Sequence, residues 1–150
     1  MRYLLIDHIT EYQQGELIKG VKNVAMSEDF LEFHFPQNPI MPGVMLLEAL
    51  TQLTGWLEAV SSDFKGWFLI SKVKKSSFYG FAFPGDQVEL EVKVLPKDSG
   101  EGKVYQGIGM VNGKKKIQAE FEGEIIPLSD IEDEEEQRQF FLRLTRGTKL

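Results

Sequence analysis

HFPQNPIMPGVMLLEALTQ, residues His34 to Gln52, is a proline-stiffened loop that runs into an almost wholly apolar helix. Pro36, Pro39 and Pro42 fix φ at three points within seven residues. The spacing predicts Pro42 as the first helical residue, where a missing N–H costs nothing. Gly43 has no Cβ, so another group can approach the backbone N–H of the first turn, at the positive end of the helix dipole. From Val44 the helix reads VMLLEALTQLTGWLEAV, apolar on nearly every side, which predicts a helix buried at the centre of the fold. Glu48 interrupts that run about 9 Å along the axis from Pro42, with Gln52 one turn further on the same face. Burial disfavours the charged form of a carboxylate, which suits Glu48 to donate a proton. Each residue alone has an ordinary structural explanation: Glu48 as an internal acid satisfied by Gln52, His34 as a loop histidine. It is their combination with the loop that points to chemistry.

The strands are read outward from this helix. YLLIDHI, Tyr3 to Ile9, is a short apolar element, EYQQGE reads as a turn, and Leu17 to Val24 alternates enough to be the first strand. Beyond a polar connection from Ser61 to Gly66, Trp67 to Phe78 has the aromatic and β-branched content of a strand. YGFAFPGD ends in a Pro-Gly-Asp turn. QVELEVKVL then places Val88, Leu90, Val92 and Val94 on one face and charge on the other, an antiparallel strand with one wet side. KVYQGIGMV leads to Asn112-Gly113, a strong two-residue hairpin signal. The returning strand, KKKIQAEFEGEII, turns Ile117, Ala119, Phe121 and Ile125 inward. Ser129 followed by Glu132 reads as a capping box, and later arginines complete a helix predicted from about Asp130 to Arg146. Phe140, Phe141 and Leu144 offer that helix an apolar face for docking on the body or on a neighbouring subunit. The expectation is one α+β domain: an antiparallel sheet wrapped around a long central helix over residues 1–128, with residues 129–150 as its C-terminal helical extension.

Composition narrows the function classes. The 150 residues contain no cysteine and only two histidines, so disulfides, thiolate metal sites and a His-based metal centre are not expected. A net charge of −6 argues against broad nucleic-acid binding. No stretch approaches the length of a membrane span and the N-terminus lacks a signal-peptide pattern, so a soluble cytoplasmic protein is expected, with no membrane contact.

The string His34, Phe35, Pro36, Pro39, Met41, Pro42, Gly43, Val44, Glu48, Ala49 and Gln52 closely resembles the signature of the β-hydroxyacyl-acyl carrier protein dehydratases, the FabZ-like branch of the hotdog superfamily. The resemblance continues at LLIDHI and at FPGDQVELEV and spans roughly residues 3–126. It implies the hotdog fold and dehydration of β-hydroxyacyl thioesters to trans-enoyl thioesters in fatty acid or related acyl-chain synthesis. On this resemblance His34 is the base, Glu48 the acid that aids hydroxide departure, the Gly43 N–H the donor to the thioester carbonyl, and Gln52 the residue that orients Glu48. It also implies a homodimer, or an assembly of dimers, with His and Glu of one site drawn from opposite subunits and an acyl tunnel along the interface. No metal or organic cofactor is required. Phe33 departs from the family, which carries glycine before the histidine; a bulky side chain there bears on the histidine's orientation and the cavity mouth. Phe81 and Phe83, with Phe78, are candidates to line the tunnel. The partner is an acyl carrier protein; such carriers are acidic, and Lys72, Lys74 and Lys75 are the candidate contact. Lys114 to Lys116 are read as solubilising the hairpin. The competing readings are a hotdog acyl thioesterase and a non-catalytic acyl-binding relative, the latter favoured only by Phe33.

Overall fold

The computed structural model describes residues 4–31, 35, 37–97, 100 and 102–147. Two strands open the chain, β1 (His8–Gln13) and β2 (Leu17–Asn23), followed by the proline loop and the helix α1 (Gly43–Ser61). β3 (Gly66–Phe78), β4 (Gln87–Leu95), β5 (Lys103–Val111) and β6 (Lys114–Pro127) complete the sheet, and α2 (Glu134–Thr145) closes the chain. The sheet is six-stranded and antiparallel, in the order β1-β2-β4-β5-β6-β3. Consecutive strands β4, β5 and β6 form a meander, and β3 reaches the far edge by pairing with β6.

Alternation sets the inner face. Val88, Leu90 and Val92 on β4, and Ile117, Ala119 and Phe121 on β6, are buried against α1 residues such as Leu50, Leu53 and Leu57. Gly107 on β5 leaves room for Leu50, whose Cδ1 would lie 2.8 Å from a Cβ there. Asn112 and Gly113 both take positive φ, 50° and 78°, the backbone that a two-residue hairpin needs to match strand twist.

Several boundaries depart from the sequence reading. The segment EYQQGE is only partly a turn, because Glu11 to Gln13 lie in β1; Tyr12 is held from outside by Phe141 of α2, with ring centroids 5.3 Å apart. Pro42 is the N-cap and not the first helical residue: its ψ of 138° is extended, and its carbonyl accepts from Met45 N–H at 2.9 Å. Alternation on β6 lapses after Gly123, whose missing side chain admits the Phe68 ring, and Ile125 is 46% exposed. Ser129 is not a cap either. Leu128–Asp130 forms a short 3-10 turn, and the α2 cap is Asp133, whose side chain accepts from Glu135 N–H at 2.9 Å.

α2 docks on the chain's own body. Phe140 stacks on Trp56 at 5.6 Å, Phe141 meets Phe64 edge-on at 5.5 Å, and Arg138 lies over the Phe64 ring at 4.7 Å. Ion pairs flank this apolar seam, Arg138 to Asp63 at 2.9 Å and Lys65 to Glu134 at 2.7 Å.

Candidate active site

α1 is not buried along its whole length. From Leu53 to Val60 every residue is buried, but the first half keeps an open face on which Val44 is 68% exposed and Glu48 is exposed. The sequence expectation of a desolvated Glu48 therefore fails within one chain. An all-apolar helix predicts burial, and among the described residues nothing covers this open stripe.

Glu48 is nevertheless held in place. Thr51 Oγ1 lies 3.0 Å from one carboxylate oxygen and 2.9 Å from the Glu48 carbonyl, and Gln52 Nε2 donates to the other carboxylate oxygen at 3.2 Å. Gln52 is fixed in turn, since its Oε1 accepts the Leu5 N–H at 2.9 Å. That bond ties the irregular segment before β1 to the helix and fixes which end of the Gln52 amide faces Glu48.

At the start of α1, Gly43 makes use of its missing side chain: the Phe78 ring lies 2.8 Å from where a Cβ would stand. The first backbone N–H groups of the helix have no intrahelical acceptor, so this end offers donors next to an aromatic surface. The loop before it is tied back twice. Phe35 and Asn38 exchange backbone hydrogen bonds at 3.3 and 3.0 Å, and Met41 N–H donates to Ala82 carbonyl at 2.8 Å. That second bond sets the loop beside Phe81 and Phe83, whose rings lie edge-on at 6.2 Å and are both exposed. His34 and Phe33 lie outside the described residues.

Lys72, Lys74 and Lys75 are exposed on β3. Across the strand pair Lys72 faces Glu122 and Lys75 faces Glu120, and Lys74 Nζ sits 3.9 Å from Glu122, so β6 acids offset part of this positive charge.

Reading the helix outward from Glu48 passes over its second acid. Glu58 is 4% exposed, accepting from Tyr105 Oη at 2.9 Å and from Lys103 Nζ at 3.1 and 3.3 Å. Burial, followed by the Glu58 charge and hydrogen bond, pushes the Tyr105 phenol well above its ordinary range. The available signal was the β5 alternation, which puts Lys103 and Tyr105 on one side of the strand. Thr51 also went unnoticed, although it stands three residues after Glu48, within reach on a helix.

The FabA-like domain family matches residues 1–120, a span that holds the proline loop, Gly43, Glu48 and Gln52 and ends before α2. The chain is 41% identical over 120 residues to the 3-hydroxyacyl-acyl-carrier-protein dehydratase FabZ of Nitratidesulfovibrio vulgaris, covering 78% of this chain and 77% of that protein. It is 37% identical over 118 residues to the FabZ of Clostridium acetobutylicum, covering 78% and 83%. Among solved structures, a Streptococcus mutans protein bound to acetyl CoA superposes with a TM-score of 0.62 at 12% identity, over 85% of this chain and 94% of that one. The dehydratase heterocomplex ApeI:P of Xenorhabdus doucetiae gives 0.61 at 15% identity, over 82% and 98%. These two likenesses carry the hotdog fold.

Proposed function

We propose, for a chain that belongs to the FabA-like family of hotdog proteins, that it is a β-hydroxyacyl-acyl carrier protein dehydratase of fatty acid biosynthesis. The observation that carries this reading is the Glu48 carboxylate, fixed by Thr51 and Gln52 on the open face of α1, a turn and a half along from the helix start at Gly43.

Loss of water across the α and β carbons requires a base for the α-proton, an acid for the departing hydroxyl and a donor to the enolate-like thioester oxygen. His34 takes the α-proton. Electrons move to form the double bond, and Glu48 delivers a proton to the β-hydroxyl, which leaves as water. The Gly43 N–H, at the positive helix end, stabilises the oxygen on which charge develops. Gln52 and Thr51 hold Glu48 in the orientation that this transfer needs. The thioester itself acidifies the α-carbon, so the residues of the chain suffice for each step.

The site is completed by a second copy. β3 is an edge strand of 13 residues whose apolar members Leu69, Ile70 and Val73 are exposed, and Val44, Phe78, Phe81 and Phe83 extend the exposed apolar surface to the α1 start. An edge this long is a template for strand pairing, and an apolar band of this kind marks an interface. Covering it would desolvate Glu48, bring His34 of one subunit toward Glu48 of the other, and turn Phe81 and Phe83 into the wall of an acyl tunnel at the interface. Lys72, Lys74 and Lys75 flank that edge, where they would meet an acidic carrier protein in the cytoplasm.

The test mixes two inactive proteins. His34→Ala and Glu48→Gln are each expected to lose turnover by about 100-fold or more. When the two are unfolded and refolded together, about half of the dimers are mixed and each of these has one intact site, so about a quarter of wild-type activity returns. If none returns while dimers form, the site is not shared. Reversing the charge of Lys72, Lys74 and Lys75 is expected to raise KM for carrier-linked substrate and leave KM for a small-thiol thioester unchanged.

A further inference from the structure

β2 alternates with a period of two, so Ile18, Gly20 and Lys22 share one face. That face is the inner one: the three pair with Val92, Leu90 and Val88, all buried on β4, and a Cβ on Gly20 would stand 3.1 Å from Leu53 of α1. Its last position therefore holds a lysine where an apolar residue is expected, and Lys22 is 3% exposed. Two carboxylates meet its ammonium. Glu28 accepts a hydrogen bond from Lys22 Nζ, and Asp7 Oδ2 lies 3.8 Å from the same nitrogen while accepting the Asn23 N–H at 2.7 Å. Desolvation offsets much of the attraction within a buried ion pair, so such a pair adds little net stability, whereas removing one partner leaves the others unbalanced. The proton transfers assigned to His34 and Glu48 use none of these three groups.

Their connections lead to the acid. Asp7 ends a short strap in which Leu5 and Ile6 are buried, and its own N–H donates to the Val21 carbonyl at 2.8 Å. At the other end of the strap the Leu5 N–H donates to Gln52 Oε1 at 2.9 Å, and Gln52 Nε2 donates to Glu48 at 3.2 Å. We infer that Lys22 is a positioning residue for Glu48: its ammonium locks Asp7, Asp7 fixes the strap, and the Leu5 N–H of the strap sets the Gln52 amide that orients the carboxylate. The inference rests on the dehydratase reading for the role of Glu48. Gln52 has one donor end and one acceptor end. While Leu5 N–H holds the acceptor, the donor must face Glu48; a released amide can rotate and set its oxygen against the carboxylate, where it repels. The Glu28 arm reaches the other half of the site. Glu28 carbonyl accepts the Leu31 N–H at 3.1 Å in the 3-10 turn Asp29–Leu31, and His34 stands three residues after that turn in the sequence. One buried ammonium thus joins the segment that holds the acid to the segment that leads to the base.

Three variants of the full chain test this. Lys22→Met keeps the side-chain length and removes the charge. Asp7→Ala removes the anchor of the strap at an exposed position that folding tolerates. Lys103→Met is the control: it takes the ammonium from Glu58, a comparable buried acid that stands about 15 Å beyond Glu48 on α1. For each protein, kcat and KM are measured on the β-hydroxybutanoyl thioester of N-acetylcysteamine well below its Tm, and exchange of the Leu5 amide hydrogen is followed by NMR. Lys22→Met and Asp7→Ala are expected to lower kcat roughly tenfold to a hundredfold with KM unchanged, and to speed Leu5 exchange by about tenfold or more. Lys103→Met is expected to lower Tm and to leave kcat and Leu5 exchange as in wild type. An unchanged kcat in Asp7→Ala overturns the inference, as does a Lys22→Met protein whose one change is a lower Tm, or an equal loss of kcat in Lys103→Met. Should wild type itself turn over no β-hydroxyacyl thioester, faster Leu5 exchange in both variants keeps Lys22 as the residue that sets Gln52 and overturns the dehydratase reading alone.

Discussion

Tyr105→Phe removes one oxygen from a buried polar contact in the core. Tyr105 is almost completely buried, and its hydroxyl donates to Glu58 at 2.9 Å, with Lys103 as the other partner of that carboxylate. Phe fits the same space, so the change isolates the hydrogen bond from packing. A hydrogen bond to a charged, buried acceptor is worth about 1.5–3 kcal/mol, and Lys103, whose side chain is partly in solvent, is left as the remaining partner. For a chain of this size about 1 kcal/mol corresponds to roughly 2–4 °C, so Tm should fall by about 3–12 °C near neutral pH. The assay is thermal unfolding followed by far-ultraviolet circular dichroism at one fixed protein concentration, because any association would contribute to Tm. The pH dependence has a definite sign. The folded phenol is held above its ordinary value of 10.0, so its contribution is complete below that pH and is lost as pH rises toward the folded value. Above pH 10 the unfolded wild type releases this proton and the folded form does not, which costs wild type up to about 1.4 kcal/mol per pH unit that Tyr105→Phe does not lose. The gap between the two proteins should therefore narrow above pH 10. A Tm within about 1 °C of wild type at neutral pH, or a gap that stays constant into the alkaline range, would refute the argument.

Two further substitutions test other joints of the structure. Gly55→Ala would place a Cβ 2.2 Å from the Trp67 ring; it should destabilise by about 1–3 kcal/mol and redden tryptophan emission, whereas an unchanged spectrum would show that the ring is not confined there. Thr51→Val removes one of the two groups that fix the Glu48 carboxylate and should lower kcat by roughly tenfold to a hundredfold with little change in KM; equal loss in kcat and stability would assign Thr51 to folding alone.

How much was legible follows from what each pattern depends on. β4 and β5 begin and end where the alternation in QVELEVKVL and KVYQGIGMV begins and ends, because one face is buried along most of each strand. The Asn112-Gly113 turn was readable because its chemistry is local. β1 was hidden since Glu11, Tyr12 and Gln13 are polar, and what covers Tyr12 is Phe141, more than a hundred positions away. The α2 start was misplaced because a 3-10 turn, pinned by Leu128 N–H to the Lys65 carbonyl, uses up Ser129 before the helix begins. At the site, the loop and Glu48 stood out as exceptions to their surroundings. Glu58 did not, because its partners come from a strand 45 and 47 residues later. The open face of α1 was unreadable for a different reason: an apolar stripe looks the same in sequence whether its cover is the chain itself or a second copy.

The central claim is tested most directly by incubating the purified protein with β-hydroxyacyl and trans-enoyl thioesters, on carrier protein and on a small thiol, while enoyl absorbance and free thiol are followed together. The account predicts interconversion of the two thioesters without thiol release, reduced about 100-fold or more in Glu48→Gln and in His34→Ala. Thiol release would identify a thioesterase, and near-normal interconversion in either variant would contradict the assignment of His34 and Glu48.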